Sequence, residues 1–267
     1  MLVVGELLNS TRARVKKAIE EKDAGFIGDL ARRQAEAGAN WIDVNAGALA
    51  TGEVENLSWM IGVVRKVTDA PLSIDSPRAA AVEAGLELAG EAGLLNSITA
   101  ERDRYASLAP LIRKYRCRVV ALSLDDSGMS EDPEKIYSVA DALIKRLEDD
   151  GVPPESIFTD PLVRPVSTNT QYGVDALRVM ERIRAGHPRV HLICGLSNVS
   201  YGLPQRRLVN RAFAVMAVVK GLDAVIADPL DRRLMADILA AEALAGKDEF
   251  CMNYITAARA GRFEGLE

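Results

Sequence analysis

The chain has 267 residues, of which 48% are hydrophobic and 27% charged, and a formal net charge of −5. That balance excludes a disordered or collagen-like chain, and the acidic sign argues against nucleic-acid or anionic-membrane partners. The longest apolar run, residues 212–219, is far shorter than the ~20 residues that cross a bilayer, and the MLVVGELLNS start lacks the positive n-region of a signal peptide, so a cytoplasmic location is expected.

Short β-branched or apolar runs alternate with amphipathic stretches from end to end. A strand over residues 2–4 precedes a helix over 25–38, whose Phe26, Leu30, Ala31 and Ala35 share one face and whose end falls at Gly38. A strand over 41–44 and a helix over 53–67 follow. Next come a strand over 72–74 and a helix over 77–89, with Pro77 suited to a first helical position. Strands over 94–95, 118–122, 156–159, 191–194 and 223–226 then alternate with helices over 101–115, 132–149, 173–185, 207–220 and 231–245. The 132–149 helix opens on Asp132-Pro133, a capping residue followed by a proline at the first helical position. Eight strands alternating with helices in a chain of this length predict an α/β fold: a (β/α)8 TIM barrel forming one domain over 1–267.

In such a barrel the chemistry sits at the C-terminal ends of the strands. Those ends carry Glu6 with Asn9 just beyond, Asp43 and Asn45, Asp75, Asn96 and Ser97, Asp125 and Asp126, Asp160, Ser197 and Asn198, and Asp228. Several have plain structural readings. Asp75, Asn96-Ser97 and Asp228 could cap the helices that follow, Asp160-Pro161 could initiate a turn, and Asp125 and Asp126 could be solvated. Those readings do not explain why an acid or amide ends every strand, so a ligand site on the rim is expected. No strand ends in lysine, which disfavours Schiff-base chemistry, and no GxGxxG or GxxxxGK[ST] loop is present. Carboxylates and amides suit a neutral heterocycle rich in N–H donors, because a carboxylate accepts two parallel hydrogen bonds and an amide satisfies a donor and an acceptor together.

The other functional residue types are scarce. Cys117, Cys194 and Cys251 form no CxxC pair, and His187 and His191 flank Pro188, so neither a disulfide framework nor a resident metal is expected.

The stretches VVGELLN (3–9), WIDVNAG (41–47), LSIDS (72–76), LLNSITAER (94–102), FTDPLV (158–163) and CGLSNVSYGLPQRRLVNRAF (194–213), in this order and spacing, resemble the pterin-binding methyltransferase family. The likeness runs over essentially the whole chain and is greatest to the methyltetrahydrofolate:corrinoid protein methyltransferases. The folate module of cobalamin-dependent methionine synthase is similar, and dihydropteroate synthase is a more distant relative. The resemblance implies methyl transfer between N5 of methyltetrahydrofolate and the cobalt of a corrinoid (cobalamin) carried by a partner protein. It also implies a homodimer. Asp75, Asn96, Asp160, Asn198 and Arg206 would hold the pterin, with Asn198 as the catalytic amide at N5. Glu6, Asn9, Asp43, Asn45, Ser197 and Tyr201 would support the site. The segment Tyr201-Gly202-Leu203-Pro204 departs from the acetyl-CoA-pathway enzymes toward the methionine-synthase pattern. Two alternatives are a dihydropteroate synthase-like enzyme and a pterin-binding subunit without turnover of its own. The first lacks the NxTPDSF-like segment, since Asn9 is followed by Ser-Thr-Arg-Ala, and lacks a lysine beside Ser197-Asn198.

Overall fold

The structure is a computed structural model describing residues 1–49 and 51–266. In chain order, the elements are β1 (Leu2–Asn9), α1 (Ala13–Glu20), α2 (Ala24–Glu36), β2 (Trp41–Asn45), α3 (Glu53–Val64), β3 (Leu72–Asp75), α4 (Ala79–Ala89), β4 (Leu94–Thr99) and α5 (Arg102–Tyr115). They continue with β5 (Arg118–Leu122), α6 (Pro133–Asp149), β6 (Ile157–Asp160), α7 (Tyr172–Gly186), β7 (His191–Leu192), α8 (Arg206–Val219), β8 (Ala224–Ala227), α9 (Arg232–Leu244) and α10 (Met252–Arg259). The strands form one parallel sheet in the order β7-β6-β5-β4-β3-β2-β1-β8. A parallel bridge between Gly195 and Ile226 joins its ends, and the Ile226 N–H donates to Cys194 O at 2.9 Å. The expected (β/α)8 barrel is therefore present.

The expected helices form for the expected reasons. Asp23 caps α2 by accepting the Phe26 N–H at 3.0 Å, and the helix buries Ile27, Ala31 and Gln34 before the chain turns at Gly38, whose φ of +98° suits glycine. Asp132 caps α6 through the Glu134 N–H, and Ile136, Val139, Ala140, Leu143, Ile144 and Leu147 repeat along its buried face. The reading of Pro77 is corrected. Helix α4 begins at Ala79 after Arg78, and the Arg78 N–H is taken by Ser76 Oγ rather than by Asp75. Strand β4 runs on through Asn96 and Ser97, so these residues do not cap α5. Strand β7 pairs over two residues only, the first half of the 191–194 run expected. Helices α1 and α10 had no counterpart in the sequence reading. Each has eight residues and buries few of them (Val15, Ala18 and Ile19; Ala257), too few to make a readable period.

Parallel register decides which side chains share the barrel interior. Val4 pairs with Trp41, Asp43 with Ser73, Asn45 with Asp75, Asp75 with Asn96, Asn96 with Val120, Val120 with Phe158, and Leu122 with Asp160. Paired residues lie on one face and every second residue returns to it, so one ladder lines the bore from floor to rim. Its floor is apolar: Val4, Trp41, Leu94, Val120, Phe158, Ile193 and Ala224 pack together. The Trp41 and Phe158 rings meet edge-on at 5.7 Å, and His191 stacks on Phe158 at 4.5 Å. His191 is thereby a floor residue, with Nδ1 3.1 Å from Asp223 Oδ2. Among the described residues, no helix is long and apolar enough to cross a membrane.

Candidate active site

Above the floor the bore opens into a cavity of about 360 Å³. Of the residues singled out in the sequence, it is lined by Glu6, Asn9, Asp43, Asp75, Asn96, Ser97, Asp160, Ser197 and Asn198, with Val120, Leu122 and Ile226 as apolar wall. Three others stand outside it. Asn45 lies behind Asp75 and donates its Nδ2 to Asp75 Oδ2 at 2.8 Å, while its Oδ1 accepts from Ser10 Oγ and the Gly47 N–H. Arg206, at the start of α8, donates to Ser197 O at 2.5 Å and to Ser200 Oγ at 3.1 Å, fixing the turn that carries Asn198. Tyr201 is 66% exposed, with the Arg206 guanidinium 5.7 Å from its ring centre.

The remaining rim candidates are structural. Asp125 pairs with Lys135 at 2.6 Å, Asp126 accepts the Arg102 N–H at the start of α5, and Asp228 accepts the Leu230 N–H at 2.9 Å. Asn9 lines the cavity edge, but its Oδ1 is used by the Thr11 N–H and hydroxyl in a local turn.

The lining carboxyls are buried and share few donors. Asp43 accepts from Ser73 Oγ at 2.7 Å and from Asn96 Nδ2 at 3.2 Å, and burial followed by the neighbouring Asp75 charge lifts its pKa well above the usual carboxylate range. Burial also raises Asp75, against the Asn45 hydrogen bond and the Arg104 charge. Glu6 accepts from Arg12 at 2.8 Å and from Ser197 Oγ at 2.9 Å, tying β1 to the loop after β7, and burial raises it too. Asp160 is pushed up to about 6 by burial, only partly offset by the Leu162 and Gly195 N–H groups.

The pattern of spent donors decides what the cavity offers. Both asparagine NH2 groups on β2 and β4 point at carboxylates. Among the described residues, Asp75 Oδ1 and Asn96 Oδ1 have no protein donor. A ligand with several N–H groups would satisfy these acceptors. Asn198 is exposed at the mouth on the short 3-10 turn Leu196–Asn198, and its side-chain amide makes no hydrogen bond within the described residues. A Cβ built on Gly195 would lie 2.9 Å from Asn198 Nδ2, so this glycine gives the amide its room.

Residues 5–228 match the family described as pterin-binding enzymes. The chain belongs to that family. Over 264 residues this pterin-binding protein is 37% identical to a methylcorrinoid:tetrahydrofolate methyltransferase from Eubacterium limosum, an alignment covering 98% of this chain and 97% of the relative. It is 27% identical over 239 residues to the methionine synthase of Mycobacterium leprae, covering 85% of this chain but 20% of that longer protein. Among solved structures it resembles the dihydropteroate synthase of Yersinia pestis with a TM-score of 0.66 at 19% identity, over 92% of this chain and 93% of the other. At that identity the last likeness is one of fold.

Sequence reasoning missed part of the site. Thr11 and Arg12 line the cavity, Ser10 and Ser73 orient Asn45 and Asp43, and Arg104 reaches behind Asp75. Ser73 was legible in principle, since it stands two residues before Asp75 and so faces the bore. The arginines lie in loops and a helix, where no periodicity marks the inward side.

Proposed function

We propose that this protein transfers a methyl group between N5 of tetrahydrofolate and the cobalt of a corrinoid carried by a partner protein. The observation that carries the reading is the set of unpaired acceptors, Asp75 Oδ1 and Asn96 Oδ1, beside the buried Asp160 and below the unpartnered Asn198 amide. An aminopyrimidinone edge offers the N–H groups that these acceptors lack, and Asp160 as a carboxylate would accept two of them in parallel. The full-length similarity to a methylcorrinoid:tetrahydrofolate methyltransferase supports the same reading. The dihydropteroate synthase alternative is supported by fold likeness alone.

The chemistry follows from charge. A methyl on a neutral tertiary amine is a poor electrophile, because the nitrogen would leave as an anion. With N5 protonated, the nitrogen leaves neutral. In the folate-to-corrinoid direction the C–N5 bond breaks, its electron pair stays on N5, and the carbon takes an electron pair from Co(I). The reverse direction returns both pairs and releases the N5 proton. Asn198 Oδ1 accepts the hydrogen bond of the protonated N5, a contact that strengthens as positive charge develops and so favours the transition state over bound substrate. The cavity fixes the pterin while the mouth stays open to the carrier, so the chain supplies position and proton affinity.

The same reading includes a cytoplasmic homodimer. Leu208, Ala212, Met216 and Val219 form an outward stripe on α8, three of them 52–64% exposed, next to Leu244 at 86% on α9. A helix apolar on both faces calls for a cover, and an uncharged stripe can meet its own copy. Sedimentation should give a dimer that Met216→Arg splits; a monomeric wild type would refute this part.

The deciding assay is spectrophotometric. Protein mixed anaerobically with methyltetrahydrofolate and cob(I)alamin should consume the Co(I) band and build the methylcobalamin band, and methylcobalamin with tetrahydrofolate should run the reverse. Absence of both reactions together with absence of folate binding would overturn the assignment.

A further inference from the structure

Arg104 lies in the first turn of α5, outside the cavity, yet its guanidinium is committed to the segments that directly follow Asp75 and Asn96. Nε and Nη2 donate to Ser97 O at 3.0 and 2.6 Å, Nη2 also donates to Ser76 O at 3.0 Å, and Nη1 donates to Pro77 O at 2.7 Å. Ser76 directly follows Asp75, and Ser97 directly follows Asn96. Asp75 and Asn96 are the last register pair between β3 and β4, and the Ser76 N–H to Asn96 O bond at 3.3 Å is the last backbone link there. Beyond it the strands part, and their carbonyls lose the ladder donors that a sheet would supply. One guanidinium replaces those donors on both strands at once. Among the described residues it has no carboxylate at ion-pair distance, so its hydrogen bonds go to these carbonyls.

We propose that Arg104 is the positioning residue of the pterin site, setting the spacing between Asp75 and Asn96 and placing a cation behind Asp75 that favours its ionised form. The assignment rests on the pterin reading above. The spacing part needs a planar fork, which lysine cannot supply. The ionisation part follows from the charges around Asp75: Asp43 faces it from β2 and Glu53 from α3, with Glu53 bonded to Ser76 Oγ and paired to Arg78 at 3.2 Å. Asn45 and Asn96 are neutral, and Arg104 is the cation that lowers Asp75 against burial and Glu53. Glu101 acts on Arg104 from the start of α5.

The test uses the full chain as wild type, Arg104→Lys and Arg104→Gln. Calorimetric titration with methyltetrahydrofolate should show Arg104→Lys binding roughly 10- to 100-fold more weakly, with the acidic edge of binding where wild type has it. Arg104→Gln should bind more weakly still, with that edge moved to higher pH, because removing a cation raises a neighbouring carboxyl's pKa. Melting temperatures taken alongside separate this from a merely structural role: variants that melt lower but bind with wild-type affinity and wild-type pH edge overturn the proposal. A second readout needs no folate. In the unliganded protein, the Asp75 carboxyl carbon followed by NMR should titrate at higher pH in Arg104→Gln than in wild type, and an unchanged midpoint overturns the ionisation role. Wild type that fails to bind folate at all would instead overturn the pterin reading.

Discussion

Two rings of inward side chains share the same strands, and different physics holds each. At the floor, Val4, Trp41, Leu94 and Phe158 pack into a dry cluster. At the rim, Glu6, Asp43, Asn96 and Asp160 stand two residues further along the same four strands, one pleat repeat or about 7 Å higher. The floor gains from burial through transfer and close packing. The rim loses by it: its carboxyls are desolvated, short of donors and raised in pKa. A strand can therefore be stabilising over one half and held ready for a ligand over the other. The boundary between the two halves is the point where the barrel turns from a filled core into a site.

Substitutions in each ring should separate the two roles. Phe158→Ala removes the ring that both Trp41 and His191 pack against, and should cost about 3–5 kcal/mol in urea unfolding. A loss below about 1 kcal/mol would mean that the floor does not need it. Asp160→Asn should act in the opposite sense. The carboxyl titrates at about 6 in the folded protein against an ordinary 3.8, so unfolding releases its proton between those values and stability falls as pH rises through that window. Above it the variant escapes a penalty of up to about 3 kcal/mol, melting higher than wild type at pH 7.5 and equally near pH 4, while binding folate more weakly. Equal melting at both pH values would remove the penalty from the argument.

Asn198→Ala should lower kcat/KM for methyl transfer by about 10- to 1000-fold and leave the melting temperature in place, because this amide holds nothing in the protein. Unchanged kinetics would take Asn198 out of the mechanism. Gly195→Ala tests the same amide from below. Its Cβ would press on Asn198 Nδ2, and a loss of roughly tenfold or less is expected, since the side chain can rotate away. A loss as large as that of Asn198→Ala would show that the amide has a single productive position.

Much of this was legible in the chain itself. The alternation of β-branched runs with amphipathic stretches marked the barrel, and acids and amides at the strand ends marked the rim. What misled was local likeness. Asp75-Ser76-Pro77 reads as a cap and first turn, yet Arg104 holds the Ser76 and Pro77 carbonyls out of the helix, which starts at Ala79. Arg206, expected to hold the pterin, stands outside the cavity and holds Ser197, while Asn45, expected to support the site, holds Asp75.

The sequence by itself determined which residues of a strand share a face, because alternation along a strand is a property of the backbone and needs no partner. Only the tertiary structure decided which of those groups are spent on one another and which remain for a ligand. Asn45 and Asn96 lie about fifty residues apart in sequence, and each spends an N–H on a carboxylate, Asp75 and Asp43 respectively, while among the described residues Asp75 Oδ1, Asn96 Oδ1 and Asp43 Oδ2 stay without a protein donor. That division depends on the register of neighbouring strands and on an arginine from the following helix. It exists only once the barrel has brought those strands side by side.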